Sequence, residues 1–222
     1  MNEISTTATC FSILPFTLLP FLAIACAFFL CSGCVSLTNA YVSDNVLTDG
    51  WYEDIAKRDS GTQFLGFERW VSSTYTTNDT EYPAFLTVMT MKNLVVQNNE
   101  ELQGKIWDIV NVTIPLTISI NESTKQTGGR YILRAHQTMY MVYDGVDIQG
   151  NISKNVKIIG EAWNCQTSGT SIVCIGVAYI TNMVGDTSVE QTENWKKIVM
   201  DDIGSIEGYS GSTGLIANVI CH

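Results

Sequence analysis

Basic residues are scarce in this chain. Twelve Lys and Arg stand against 22 Asp and Glu, giving a formal net charge of −10. That balance excludes a nucleic-acid-binding surface, where clustered basic side chains supply most of the affinity. It also excludes docking on anionic lipid through a polybasic patch. Histidine is limited to His136 and the C-terminal His222. Zinc takes four ligands at characteristic spacing, and no C-x-x-C or H-x-x-x-H pair follows Cys34, so no metal site is expected. The nucleophile elbow, the P-loop, G-x-G-x-x-G and the EF-hand loop are missing too, and no cofactor is expected. The glycines at 204, 208, 211 and 214 precede a strand candidate rather than open a helix, which argues against a phosphate cradle.

Apolar residues are plentiful. Hydrophobic residues make up 45% of the 222, and aromatics 10%, enough to build a packed core in one domain. Part of this is concentrated at the N-terminus. Cys10 to Leu30 is 21 residues without a charge, and no Lys or Arg occurs before Lys57. At about 1.5 Å per residue the run would cross a bilayer core of about 30 Å as a helix. Pro15 and Pro20 are tolerated in such helices. The run is apolar all round, with no core-facing stripe.

Cys31-Ser32-Gly33-Cys34 follows. Small residues after an apolar run mark a signal-peptide cleavage site. Ser32-Gly33-Cys34 resembles the end of a prokaryotic lipobox, which implies lipidation at Cys34. Residues 1–34 are therefore read as a signal peptide or membrane anchor. Val35 to Gly61 is acidic and weakly periodic, and reads as a polar tether. Residues 62–222 are expected to form an extracytoplasmic domain.

Two features favour an extracytoplasmic location. Asn78, Asn111, Asn121 and Asn151 each begin an N-x-Ser/Thr glycosylation sequon, although a chain this rich in Ser and Thr yields nearly as many by chance. The stronger feature is a cysteine pair. Taking Gly169-Thr170 as a two-residue type II′ loop places Cys165 opposite Cys174. This is a non-hydrogen-bonded pair with Cα atoms about 4.5 Å apart, at the short end of disulfide geometry. The same register sets Trp163 over Gly176. A bridge from either cysteine to Cys221 is the alternative pairing, and two reduced core cysteines the alternative state.

Within 62–222, strands are expected over 63–76, 84–91, 114–120, 130–143, 155–164, 170–181 and 215–221. A loop is expected over 144–154. Asn98 or Asn99 caps a helix with Glu100 and Glu101 in its first turn and Leu102, Ile106, Ile109 and Val110 on one face. A second helix is expected over 192–202, with Trp195, Ile198, Val199 and Ile203 on one face. The order implies an α+β fold, a mainly antiparallel sheet with two packed helices. That order looks like the PsbP-type αβα sandwich. The lipobox-like N-terminus, KIIGEAWNC…SGTSIVCIG and the terminal ICH together resemble exported archaeal proteins of unknown function. Neither resemblance implies an activity.

Candidate chemistry is sparse. Glu68 and Glu161 are carboxylates in otherwise apolar strands, and His136 lies mid-strand. Two of the three converging in a cleft would suit a cell-surface hydrolase. In the hairpin, Val156, Ile158, Gly160 and Ala162 point one way and Lys157, Ile159, Glu161 and Trp163 the other. The charged set is expected to be the more exposed, leaving Glu161 and Trp163 as a contact surface. The first expectation is a membrane-anchored, extracytoplasmic binding or structural module without catalysis. Its partners would be the membrane and an unidentified protein or small molecule. The hydrolase is the second.

Overall fold

A computed structural model describes residues 37–63, 68–93, 95–120, 127–133, 136–150, 152–180, 193–199 and 214–222. The apolar run, Cys34, Asn121 and Asn151 lie outside these residues. The elements are β1 (Tyr41–Val42), β2 (Trp51–Gln63), β3 (Glu68–Thr77), β4 (Ala84–Lys92), α1 (Asn99–Thr113), β5 (Ile118–Ile120), β6 (Thr127–Leu133), β7 (His136–Gln149), β8 (Ile152–Cys165), β9 (Thr170–Ile180), α2 (Glu193–Val199) and β10 (Val219–Ile220). Strands β2 to β9 form an eight-stranded sheet in the order β2-β3-β4-β9-β8-β7-β5, with β6 also on β7. Every pairing among the described residues is antiparallel, so the expected α+β class holds.

Helix α1 forms as its sequence dictates. The Asn98 side chain accepts from the Glu101 N–H at 3.0 Å, and Glu101 Oε2 accepts from the Asn98 N–H at 2.8 Å, a reciprocal capping box. Leu102, Ile106, Ile109 and Val110 are buried on one stripe against β7, β8 and β9. Helix α2 buries Trp195, Ile198 and Val199 in a second cluster, with Ile159, Trp163, Ile172 and Cys174. Successive strand residues point to opposite faces, so the two helices cover opposite sides of the sheet.

Several expectations change. The strand expected over 215–221 is a 3-10 turn, Ile216–Asn218, followed by the short β10, and that expected over 114–120 is reduced to Ile118–Ile120. Residues 37–61 do not form a tether. Tyr41–Val42 pairs with Val219–Ile220, and Trp51–Gln63 is a strand along β3. The charges that made this stretch read as linker (Glu53, Asp54, Lys57, Arg58, Asp59) belong to a strand at the sheet edge, where charge discourages pairing with another chain. The strand expected over 130–143 is two strands of a hairpin, with Leu133 opposite His136. The expected loop at 144–154 is strand up to Gln149 and again from Ile152, and Gly150 turns at a φ of 63°. The last change concerns the β8–β9 register. Cys165 lies opposite Thr170, across a four-residue loop, Gln166 to Gly169. Gly169 adopts a φ of 61° and donates its N–H to the Cys165 carbonyl at 2.9 Å. The left-handed glycine ends the loop instead of beginning it, and this slides every pairing by four residues. Trp163 therefore faces Ile172, and Gly176 faces Ile159.

Candidate functional site

The register slip decides the cysteines. Cys174 stands opposite Glu161, four positions along from the partner of Cys165. At about 3.3 Å per residue that is about 13 Å, beyond any disulfide. Cys165 bonds instead to Cys221, with Cα atoms 6.2 Å apart and S–S 2.07 Å. The expected Cys165–Cys174 bridge is thus replaced by the alternative pairing. The bridge fastens β10 to the end of β8, and β10 in turn pairs with β1. His222 stacks on Tyr41 with ring centroids 5.4 Å apart.

Glu161 and Trp163 do not form a contact surface. Glu161 is fully buried, as is Ile158 on the other face, and Trp163 is 6% exposed. The reasoning assumed one covered face, but β8 and β9 are central strands with a layer on each side. Beside Glu161 on the α2 face lie Tyr140 and Cys174, its register partners on either side. Lys157 is also buried, with Nζ 5.6 Å from the centroid of the Trp195 ring, a cation–π geometry. Burial, and then the Glu161 carboxylate, push the Cys174 thiol well above its ordinary pKa. A sealed, protonated thiol is neither a nucleophile nor a metal ligand.

The residues proposed for hydrolysis do not converge. Glu68 shares the α1 face with Trp70 and accepts from Lys105 Nζ at 2.9 and 3.3 Å. Glu161 is on the opposite face. His136 stands four positions along β7 from Tyr140, the residue opposite Glu161, which is about 13 Å. Asn78 and Asn111 are exposed, Asn78 in the turn after β3 and Asn111 in the last turn of α1. No group of three His, Cys, Asp or Glu able to hold a metal occurs among the described residues. None of their helices is long and apolar enough to cross a membrane.

A polar cluster that the sequence did not reveal lies at the far end of β7. Asp147 is 1% exposed, and its Oδ2 accepts from Tyr179 Oη at 2.5 Å and Gln149 Nε2 at 2.8 Å. Burial alone would raise its pKa. The hydrogen bonds, that from Tyr179 foremost, and the Lys154 charge outweigh it and hold the carboxyl below the usual range. Lys154 Nζ lies 5.8 Å from the Tyr179 ring centroid. The signal for this cluster was available only as a carboxylate in a Val-Asp-Ile run. Without the register, Asp147 reads as loop.

No family model, no curated protein and no solved structure matches this chain.

Proposed function

We propose that the chain is a membrane-held, extracytoplasmic binding or structural module that works without catalysis. The observation that carries this reading is the Cys165–Cys221 disulfide, which ties the C-terminal strand to the sheet. Such bridges persist in oxidising compartments and are rare where thiols are kept reduced. The apolar run from Cys10 to Leu30, with Cys34 after it, supplies the means of attachment. The sealed interior supports the absence of turnover. The buried carboxylates, the lysine and the thiol sit in packed layers, and Glu68 is occupied by Lys105. Binding therefore falls to the loops and strand ends.

Intact mass of the native chain, extracted from the membrane fraction without reductant, tests the reading. A mature start at Cys34 bearing lipid, or an intact Met1, together with one oxidised cysteine pair, supports it. A chain recovered from the soluble cytosolic fraction with all thiols alkylated overturns it.

A further inference from the structure

The four N-x-Ser/Thr acceptors are equivalent as sequence, and the fold separates the two that lie among the described residues. Asn111-Val112-Thr113 forms the last turn of α1. A helix turns by about 100° per residue, so side chains two positions apart point about 200° apart. Asn111 is exposed there, and Thr113 is half-buried. Asn78-Asp79-Thr80 lies between β3 and β4, in neither helix nor strand, and all three residues are exposed.

Hydrogen bonds fix the backbone of this turn. The Asn78 N–H donates to the Gly50 carbonyl at 3.2 Å, and the Asp79 N–H to Thr77 Oγ1 at 3.2 Å. Asp79 Oδ1 accepts from the Glu81 and Tyr82 N–H groups at 2.9 and 3.0 Å, and its Oδ2 accepts from Asn194 Nδ2 of α2 at 3.0 Å. The carboxylate between the asparagine and the threonine is thus held by three donors, which offset its charge. Asn78 and Thr80 on either side of it stay open to solvent.

We propose that Asn78 carries an N-linked glycan. The proposal rests on the extracytoplasmic reading of the chain, since acceptor sequons are used in exported proteins. The donor is an oligosaccharide joined to a lipid phosphate. The Asn78 amide nitrogen bonds to the anomeric carbon and gives up one proton. The bond from that carbon to the phosphate oxygen breaks, and the lipid phosphate leaves with its electron pair. The transferase must meet the asparagine amide and the hydroxyl two residues on together. The exposed turn offers both as it stands, whereas the last turn of α1 must unwind to do so. A glycan is bulky and solubilising. At Asn78 it stands beside the segment whose Glu81 carbonyl accepts from Lys154 Nζ at 3.3 Å and whose Pro83 carbonyl accepts from the Tyr179 N–H at 3.2 Å. It would therefore screen the end of the sheet that holds the Asp147 cluster.

Glycopeptide mass spectrometry of the native full chain, isolated without reductant, tests this. The peptide containing Asn78 should carry sugar. Thr80→Ala, which leaves the asparagine in place, should lose that sugar as completely as Asn78→Gln. A bare Asn78 in a chain whose Cys165 and Cys221 are oxidised overturns the site and leaves the extracytoplasmic reading standing, whether or not Asn111 is modified. A bare Asn78 in a cytosolic chain with free thiols overturns both. Sugar that persists on Asn78 in Thr80→Ala overturns the recognition of the turn as a sequon.

Discussion

Ile106 of α1 occupies the space above Gly160 of β8 that a Cβ would need. On the other face Ile198 of α2 lies 2.7 Å from where a Cβ on Gly176 of β9 would be. The two glycines sit on neighbouring strands, opposite Ile175 and Ile159 respectively. Each helix is thus seated on a notch in the sheet, and the notches face opposite ways. Gly160→Ala forces α1 outward. Overpacking costs about 1–3 kcal/mol, and the stiffer unfolded chain returns about 0.4–1 kcal/mol of it. A net loss is expected, read as a lower urea midpoint at unchanged slope. Combined with Ile106→Ala the cost should fall below the sum of the two singles, because the second change removes the obstacle. Simple additivity would show that the two residues do not meet.

The disulfide makes a sharper prediction. Cys165 and Cys221 are 56 residues apart in sequence. Opening a loop of that size costs about 4 kcal/mol in the chain-entropy model. Cys165→Ser, Cys221→Ser and the double variant should therefore lose similar stability, since each breaks the same bond. Dithiothreitol should lower the wild type toward them. Non-reducing peptide mapping should join the two cysteines in one fragment, with Cys174 alkylated only after unfolding. A Cys165–Cys174 fragment would refute the register of the hairpin as well as the bridge.

What the sequence disclosed and what it hid divide along local and non-local lines. Helix α1 was legible to within one residue of its cap, Asn98 or Asn99, because the cap, the first-turn glutamates and the Leu102–Ile106–Ile109–Val110 stripe act within a few turns. The antiparallel class was legible from strand spacing. The Cys165 pairing was not, because it turns on whether Gly169 opens or closes a loop, and both choices satisfy its left-handed φ. The burial of Glu161 was hidden for a different reason. Alternation reports which residues share a face and says nothing of how many faces are covered. The strand β2 was concealed by its own edge charges, which resemble those of a linker. Of the candidate site, Glu68, Glu161 and His136 were each visible, but their separation was a matter of faces and register.

Asp147 should shape the acid limb of the stability curve. Its folded pKa lies below the ordinary value, so the unfolded state binds the proton first as pH falls. The resulting stabilisation is complete above the unfolded pKa of about 4 and is lost as pH falls through the folded value. Asp147→Asn should therefore lose most near neutral pH and converge on the wild type in strong acid. Tyr179→Phe removes the 2.5 Å hydrogen bond and should give a smaller loss of the same form. Denaturant midpoints from pH 2 to 7 decide it, and a wild-type-to-variant difference that is flat across this range would refute the assignment.

The opposite limb tests how the first residues of the domain are held. The Val42 N–H donates to Tyr75 Oη at 3.0 Å, the link between β1 and the sheet. Burial pushes the Tyr75 phenol up to about 12, with Glu53 and Cys174 adding to the rise and the Val42 hydrogen bond opposing it. Burial also takes Tyr143 to about 12. Since the folded state holds these protons longer than the unfolded one, stability falls as pH rises above the unfolded value near 10. The contribution is fully present below that value and is lost as pH passes through about 12. Tyr75→Phe keeps the ring in its cluster but leaves the buried Val42 N–H without its acceptor, a cost of about 1–3 kcal/mol at neutral pH. It also removes one of three raised phenols, Tyr75, Tyr143 and Tyr179, so the alkaline decline should become shallower without vanishing. Urea midpoints from pH 8 to 12, followed alongside tyrosinate absorbance, measure both effects. An undiminished alkaline slope in the Phe variant would show that Tyr75 is not the buried phenol described, and no loss at neutral pH would remove the Val42 link that holds β1 in place.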